Sequence, residues 1–319
     1  MTEYDKSNYL GSKGYTLYKK NLNKNDLLKI KKDLIVKPYN YLSNNNNNNN
    51  DERFYIYLES ENKIYVPRFW GIKIYGYPKI IKIGVGKSIN LKFNGQLRDY
   101  QVTVMNSYLK SIKFETKEEE NCEGSALIEL YAGGGKTIIC LKIIEVLKKK
   151  TIIFVHKTFL KNQWIERIKQ FLPDAKIGTI QGEVIDIEDK DIVIAMIQSV
   201  SMKSYPDNMF QDFGFSLIDE CHHISSQTFS NCLKKCTTLY SLGVSATMTR
   251  KDGLTPVFKM YLGDICNKEK KKLEEDNVLI KAIDYIVIDD DEYNKEERDF
   301  RGNVKYTTML SKVSKLKSE

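Results

Sequence analysis

The stretch Ala126-Leu127-Ile128-Glu129-Leu130-Tyr131-Ala132-Gly133-Gly134-Gly135-Lys136-Thr137 decides the fold. A short apolar run, Ala126–Leu130, reads as a strand, and residues 137–149 read as a helix. Consecutive glycines between them let the backbone turn its N–H groups around phosphate oxygens, and the helix N-terminus adds its dipole. Ala132, Gly133, Gly134, Gly135, Lys136 and Thr137 are therefore the candidate phosphate-binding set. Lys136 would reach the β- and γ-phosphates, and the Thr137 hydroxyl would hold a magnesium ion. The full pattern wants a small residue five positions before Gly135, and this chain has Leu130 there.

Two later segments complete the reading. Asp219-Glu220-Cys221-His222 follows the apolar run Phe215–Ile218. Asp219 is the candidate magnesium ligand, and Glu220 the candidate for orienting and polarising an attacking water. His222 fills the fourth place of a D-E-x-H box and is read as linking the nucleotide site to the rest of the machinery. About 25 residues further on, Ser245-Ala246-Thr247 follows the strand-like SLGV. Its two hydroxyls permit a tight turn that can hydrogen-bond to the acidic box. His156 and His223 read as loop or surface residues.

From about residue 96, short Ile- and Val-rich runs alternate with helical stretches. Strands are expected at Ala126–Leu130, Thr151–Val155, Asp191–Ala195, Phe215–Ile218 and Ser241–Val244, and helices near 98–111, 137–149, 158–171 and 225–236. That alternation predicts an α/β fold, a parallel sheet with right-handed crossovers and helices on both faces. Ligands bind such sheets at the carboxyl ends of the strands, where both motifs sit.

Residues 1–95 have another texture. They hold 17 Lys and Arg against 8 Asp and Glu, a surplus of +9, while the other residues sum to −1. They also hold 11 of the 20 tyrosines. Cations and rings together suit a nucleic-acid surface, but tyrosines alternating in strands also suit plain sheet packing. Residues 24–35 predict a short amphipathic helix, and 53–83 predict antiparallel strands, giving a small α+β domain. Asn44–Asn50 is an unbroken asparagine run that buries nothing and is expected to be a disordered loop. The expected organisation is an N-terminal domain over 1–95, a nucleotide-binding domain over 96–275, and a charged linker over 276–319 with one strand, Leu279–Ile288.

No stretch approaches the roughly 20 apolar residues of a membrane span. The start, MTEYDKSNYL, lacks the apolar core of a secretory signal, so an intracellular, soluble protein with no membrane partner is expected. None of the six cysteines forms a C-x-x-C pair, which favours reduced thiols over zinc.

The order of these pieces resembles superfamily 2 DExH helicases. Leu97-Arg98-Asp99-Tyr100-Gln101 resembles the L-R-x-Y-Q that opens such motors, which implies that Gln101 reads adenine and that the nucleotide is ATP. FVHKTFLKNQWIERIKQFLP resembles the family's strand-then-helix that grips one nucleic-acid strand, with His156 where proline is usual. IAMIQSVSMK resembles the next strand-contacting segment. Arg250-Lys251-Asp252-Gly253 resembles the XPB-type, UvsW-type and poxvirus-like subgroup, although Lys251 reverses the charge at the middle position of the R-E-D triplet. The N-terminal third resembles the pre-motor region of helicases from large cytoplasmic DNA viruses, which implies a host cytoplasmic setting.

The resemblance implies a RecA-like domain, ATP and Mg2+ as cofactors, and DNA, RNA or a hybrid as partner. It also implies a second RecA-like domain carrying Q-x-x-G-R-x-x-R, a motif that these 319 residues do not contain. The chain is thus expected to be an N-terminal half, the other half being a separate chain, a neighbouring frame or lost. Three functions follow: a helicase or translocase, a non-motor nucleic-acid-binding remnant that binds ATP without efficient turnover, or a P-loop enzyme of another class. Gln101, the acidic box and Ser245-Ala246-Thr247 speak against the last.

Overall fold

The computed structural model describes residues 7–37, 53–113, 124–221, 226–249 and 253–269, with single positions 298 and 302. The asparagine run, His222, His223, Arg250, Lys251, Asp252 and the strand expected at Leu279–Ile288 lie outside them. The chain groups into two units, residues 1–270 and 271–319.

The first elements are β1 (Tyr9–Gly11), β2 (Gly14–Tyr18), α1 (Lys24–Asp33), β3 (Ile35–Val36), β4 (Phe54–Tyr55), β5 (Leu58–Glu59), β6 (Lys63–Val66), α2 (Arg68–Tyr75) and β7 (Ile80–Ile81). The expected helix at 24–35 is α1. It starts where Asn23 Oδ1 accepts from Asp26 N–H at 2.8 Å and Asp26 Oδ2 accepts from Asn23 N–H at 3.3 Å, a reciprocal cap. Five strands form a sheet in the order β5-β6-β2-β1-β7, and β3 pairs with β4 separately.

One expectation fails here. Residues 68–75, RFWGIKIY, read as alternating strand but form α2. Pro67 fixes the entry to α2 with φ −54°, and Gly76 ends it at φ +78°. Tertiary packing settles the choice. A Cβ on Gly71 would lie 2.3 Å from Tyr15 Cγ, so the missing side chain lets α2 lie directly on β2. Trp70 joins Leu10, Tyr15, Leu17, Ile64 and Val66 in one core.

The larger sheet runs from α3 (Asp99–Ser111) through β8 (Ser125–Leu130), α4 (Lys136–Leu147), β9 (Thr151–Val155), α5 (Thr158–Phe171), β10 (Ile177–Gln181), β11 (Val184–Asp186), β12 (Ile192–Met196), α6 (Ile197–Met202), β13 (Phe215–Asp219), α7 (Ser226–Leu233), β14 (Tyr240–Ser245), α8 (Thr255–Leu262) and β15 (Ile265–Glu269). Its strand order is β11-β10-β12-β9-β13-β14-β8-β15. Every pairing is parallel except β10 with β11.

Alternate side chains go to opposite layers. Ile128, Leu130, Ile153, Val155, Ile194, Leu217 and Val244 pack with α3, α4 and α5. Leu127, Ile152, Phe154, Val193, Ala195 and Ile218 pack with α6, α7 and α8. A sheet covered on both faces needs nearly continuous apolar strands, which is how TIIFV and IVIAM read. Each fully buried Ile, Val, Leu or Phe contributes roughly 1.5–3 kcal/mol relative to exposure. Helix α5 shows the matching stripe, with Leu160, Trp164 and Ile168 buried. The unexpected strands β11 and β15 are the two sheet edges, and unexpected β10 lies between β11 and β12.

The two sheets share apolar contacts. Leu254 and Val257 at the start of α8 belong to the core under β1, β2 and β6. Ile89, Leu91 and Phe93 belong to the layer of α3–α5.

Candidate nucleotide site

The glycine loop joins β8 to α4. Gly133 and Gly135 have φ +85° and +81°. Gly135 is the N-cap of α4 in the left-handed region, and a Cβ there would meet Gln101 Nε2 at 2.2 Å. Leu130, the departure from the small-residue pattern, has its compensation two turns of the loop later. A Cβ on Gly134 would lie 2.8 Å from Leu130 Cγ, so the large residue at 130 requires glycine at 134.

Gln101 is buried against this loop. It sits at the third position of α3, and its Oε1 accepts from Arg98 N–H at 3.0 Å. Its Nε2 donates to Gly134 O at 3.4 Å, and the Tyr100 hydroxyl donates to the same carbonyl at 3.0 Å. Two consecutive residues of α3 thus hold one loop carbonyl. The role of Tyr100 is absent from the sequence reading.

Strand β13 brings the acidic pair to the same end of the sheet, with β14 between it and β8. Lys136 Nζ lies 3.3 Å from Glu220 Oε1 and 3.4 Å from Leu130 O. Ser245 Oγ donates to Glu220 Oε2 at 3.3 Å. The same hydroxyl lies 2.7 Å from Thr247 O, an alternative acceptor for its single proton, and accepts Thr247 N–H at 3.2 Å, which closes the small turn. The loop lysine, the acidic box and the Ser245-Ala246-Thr247 turn therefore converge on one carboxylate. Glu220 holds φ +47°, a conformation that costs a non-glycine residue on the order of 1–3 kcal/mol. Ala132, Gly133 and Thr247 are exposed, Ala246 is half-buried, and Thr137 is half-buried in the first turn of α4.

Asp219 is 7% exposed. Burial pushes its carboxyl up to about 6, against the pull of a hydrogen bond from Trp164; Glu220 raises it and Lys136 lowers it. Trp164 Nε1 donates to Asp219 Oδ2 at 2.8 Å. This tryptophan is a second residue that the sequence reading missed. Its signal was the i, i+4 stripe of α5, because a buried indole N–H requires an acceptor.

A magnesium ion fits this donor set. Asp219 and Glu220 offer carboxylate oxygens and Thr137, in the first turn of α4, a hydroxyl, the hard oxygen donors that magnesium takes. Among the described residues no cluster of three His, Cys, Asp or Glu could hold a metal by itself. The described cysteines are free thiols, four of them buried, and burial pushes Cys236 up to about 12. Among the described residues no helix is long and apolar enough to cross a membrane. A cavity of about 480 Å³ lined by Ile83, Gly86, Lys87, Phe210 and Phe213 contains none of the site residues.

A parallel sheet with a glycine loop and an acidic pair at the carboxyl ends of its strands defines the fold class, a RecA-like α/β domain. Residues 94–250 match the family described as type III restriction enzyme, res subunit. The chain is 32% identical over 274 residues to the putative ATP-dependent RNA helicase L396 of Acanthamoeba polyphaga mimivirus, covering 85% of this chain and 51% of that protein. It is 32% identical over 180 residues to DNA 3'-5' translocase XPB2 of Sulfurisphaera tokodaii, covering 56% and 37%. The crystal structure of the UvsW helicase from bacteriophage T4 shares the fold, with TM-score 0.52, 17% identity, and coverage of 77% of this chain and 94% of that one. Over residues 94–250 the chain is similar to that family, and it resembles these helicases while spanning about half the length of its mimivirus relative.

Proposed function

We propose that this chain is the nucleotide-binding half of an ATP-dependent helicase or translocase of the DExH type, acting on DNA or RNA. The observation that carries it is the convergence on Glu220: Lys136 on one oxygen and Ser245 on the other, at 3.3 Å each. The relatives named as an ATP-dependent RNA helicase and a DNA translocase support both the nucleotide and the polymer, and leave the choice of polymer open.

In this reading the Lys136 ammonium leaves Glu220 for the β- and γ-phosphate oxygens when ATP binds. Glu220, released, accepts a proton from the attacking water. Ser245 reports the state of Glu220 to the turn that follows β14. Gln101 recognises adenine while bracing Gly134. Thr137 and Asp219 hold Mg2+, which supplies charge neutralisation on the phosphates, and Trp164 keeps the Asp219 carboxylate aimed. His222 extends the link from the acidic box. Residues 94–269 form the first wall of the cleft, and 276–319 lead towards a second RecA-like domain. That domain, from further sequence or a partner chain, brings the arginines of the opposite wall, worth roughly 10³–10⁵ in rate in related NTPases. The setting is inside a cell.

The test is ATP hydrolysis by this chain with and without single-stranded DNA and RNA, alone and mixed with a second RecA-like domain from a relative. Stimulation by nucleic acid in the mixture supports the motor. ATP binding with no stimulation in any combination replaces it with the non-motor remnant.

A further inference from the structure

The N-terminal sheet divides its tyrosines between two faces. Leu10, Tyr15, Leu17, Ile64 and Val66 face the core and are at most 2% exposed. On the opposite face the register aligns Tyr9 with Thr16, Thr16 with Tyr65, and Tyr18 with Lys63. Tyr9, Tyr18 and Tyr65 are only half-buried there. The rings of Tyr9 and Tyr18 lie 6.2 Å apart.

Lysines stand over these rings. Lys63 Nζ is 5.4 Å from the Tyr9 centroid and 5.1 Å from that of Tyr18. Lys82 lies 4.6 Å from Tyr9, Lys20 lies 5.6 Å from Tyr18, and Lys13 lies 5.8 Å from Tyr65. Lys63 Nζ also donates to the Tyr9 hydroxyl at 3.2 Å. Among the described residues no carboxylate pairs with Lys20, Lys63 or Lys82; Lys13 alone of this group has one, Asp207 at 3.2 Å. The nearby Glu59 is taken by Lys19 and Lys31.

Sheet packing accounts for Tyr15 but not for three half-buried rings on the opposite face, two of which, Tyr9 and Tyr18, lie under cations that no described carboxylate pairs with. We propose that this face is a docking platform for a single strand of nucleic acid. Phosphates replace the rings as partners of the lysines, and the uncovered rings stack on bases. A duplex matches the charge but keeps its base faces inside its own stack, so it has no use for the tyrosines. The platform extends the nucleic-acid part of the proposed function, on which it rests, to a surface away from the nucleotide site.

Deleting residues 1–95 would not test this, because it would strip the core shared with Leu254 and Val257. The test is fluorescence anisotropy of the full chain with a labelled oligothymidylate of about 12 nucleotides, within the usual site size of such platforms. The variant is Tyr9→Leu/Tyr18→Leu/Tyr65→Leu, with the corresponding Phe triple as its conservative partner. The Leu triple is expected to weaken binding about 5- to 100-fold, the scale of losing base stacking, while the Phe triple retains it. Lys82→Gln and Lys63→Gln should each lower the slope of log affinity against log salt by about 0.7. Should the Leu triple not fold, photo-crosslinking of an iodouracil-containing strand to the unaltered chain decides instead: adducts on Tyr9, Tyr18 or Tyr65 are expected. Unchanged affinity of a folded Leu triple, equal competition by duplex, or adducts confined to 150–203 overturns the platform. Lys136→Ala separates the two proposals, since it should stop turnover and leave this binding intact. Loss of turnover stimulation with an intact tyrosine effect would sink the motor alone.

Discussion

The two sheets of this chain meet water in different places. The eight-stranded sheet is covered by helices on both faces, so only its strand ends are open, and its polar chemistry gathers there: the glycine loop after β8, the acidic pair at the end of β13, and Ser245 at the end of β14. The five-stranded sheet packs its apolar core on one face and gathers half-buried Tyr9, Tyr18 and Tyr65 with their lysines on the other. A doubly covered sheet offers a converging point, suited to a small charged ligand. A sheet face of rings and cations offers an area, suited to a polymer.

The largest expected effect tests the converging point. Lys136→Ala should lower ATP turnover at least about 100-fold, the scale of removing one preorganised charge stabiliser. Glu220→Gln should lose a similar factor yet still bind ATP; equilibrium binding of a fluorescent ATP analogue checks this, and lost binding would contradict its role as the base. Next comes burial. Ile153→Ala, in the centre of the covered sheet, should cost about 2–5 kcal/mol, whereas Lys82→Gln on the open face should cost no more than about 0.5 kcal/mol. Urea unfolding of both would break the comparison if the costs came out equal.

A smaller effect depends on pH. The fold holds the Asp219 carboxyl up to about 6, above its ordinary 3.8, so the native state binds more protons between those values. Stability therefore falls as pH rises from about 4 to about 6 and levels off above, by at most on the order of 3 kcal/mol for this group. Asp219→Asn should remove that slope and be the more stable chain at pH 7; parallel slopes in urea titrations across this range would refute it. The smallest test sharpens the loop. Gly134→Ala should cost about 1–3 kcal/mol by overpacking against Leu130, and adding Leu130→Ala should recover part of it.

Much of the site was legible because its pieces are local in sequence. Gly133 to Thr137 are consecutive across one loop and the first turn of α4, and Asp219 directly follows an apolar run as the last residue of β13. The covered strands were legible from uninterrupted Ile and Val. The edge strands β11 and β15 and their neighbour β10 were not: β10 alternates and β15, ICNKE, carries polar residues, since the sheet buries less towards its edges. Segment 68–75 misled because its alternating Phe, Ile and Tyr suit a strand as well as a helix, and only the fit of Gly71 on Tyr15 decides.

What the sequence by itself determined is the family resemblance, the parallel α/β core, and the residue types gathered at the candidate nucleotide site. Those depend on short spacings, and a loop of a few residues can express them unaided. What only the tertiary structure decided is which of them meet. Lys136 finds Glu220 because β14 alone separates β8 from β13, although 84 residues separate the two in the chain. Trp164 reaches Asp219 because α5 packs on the sheet face over β9, the neighbour of β13, and the tyrosines part into buried and half-buried sets because α2 and the start of α8 pack on one face of their sheet. Strand order is set by how whole layers bury together, which no local spacing records.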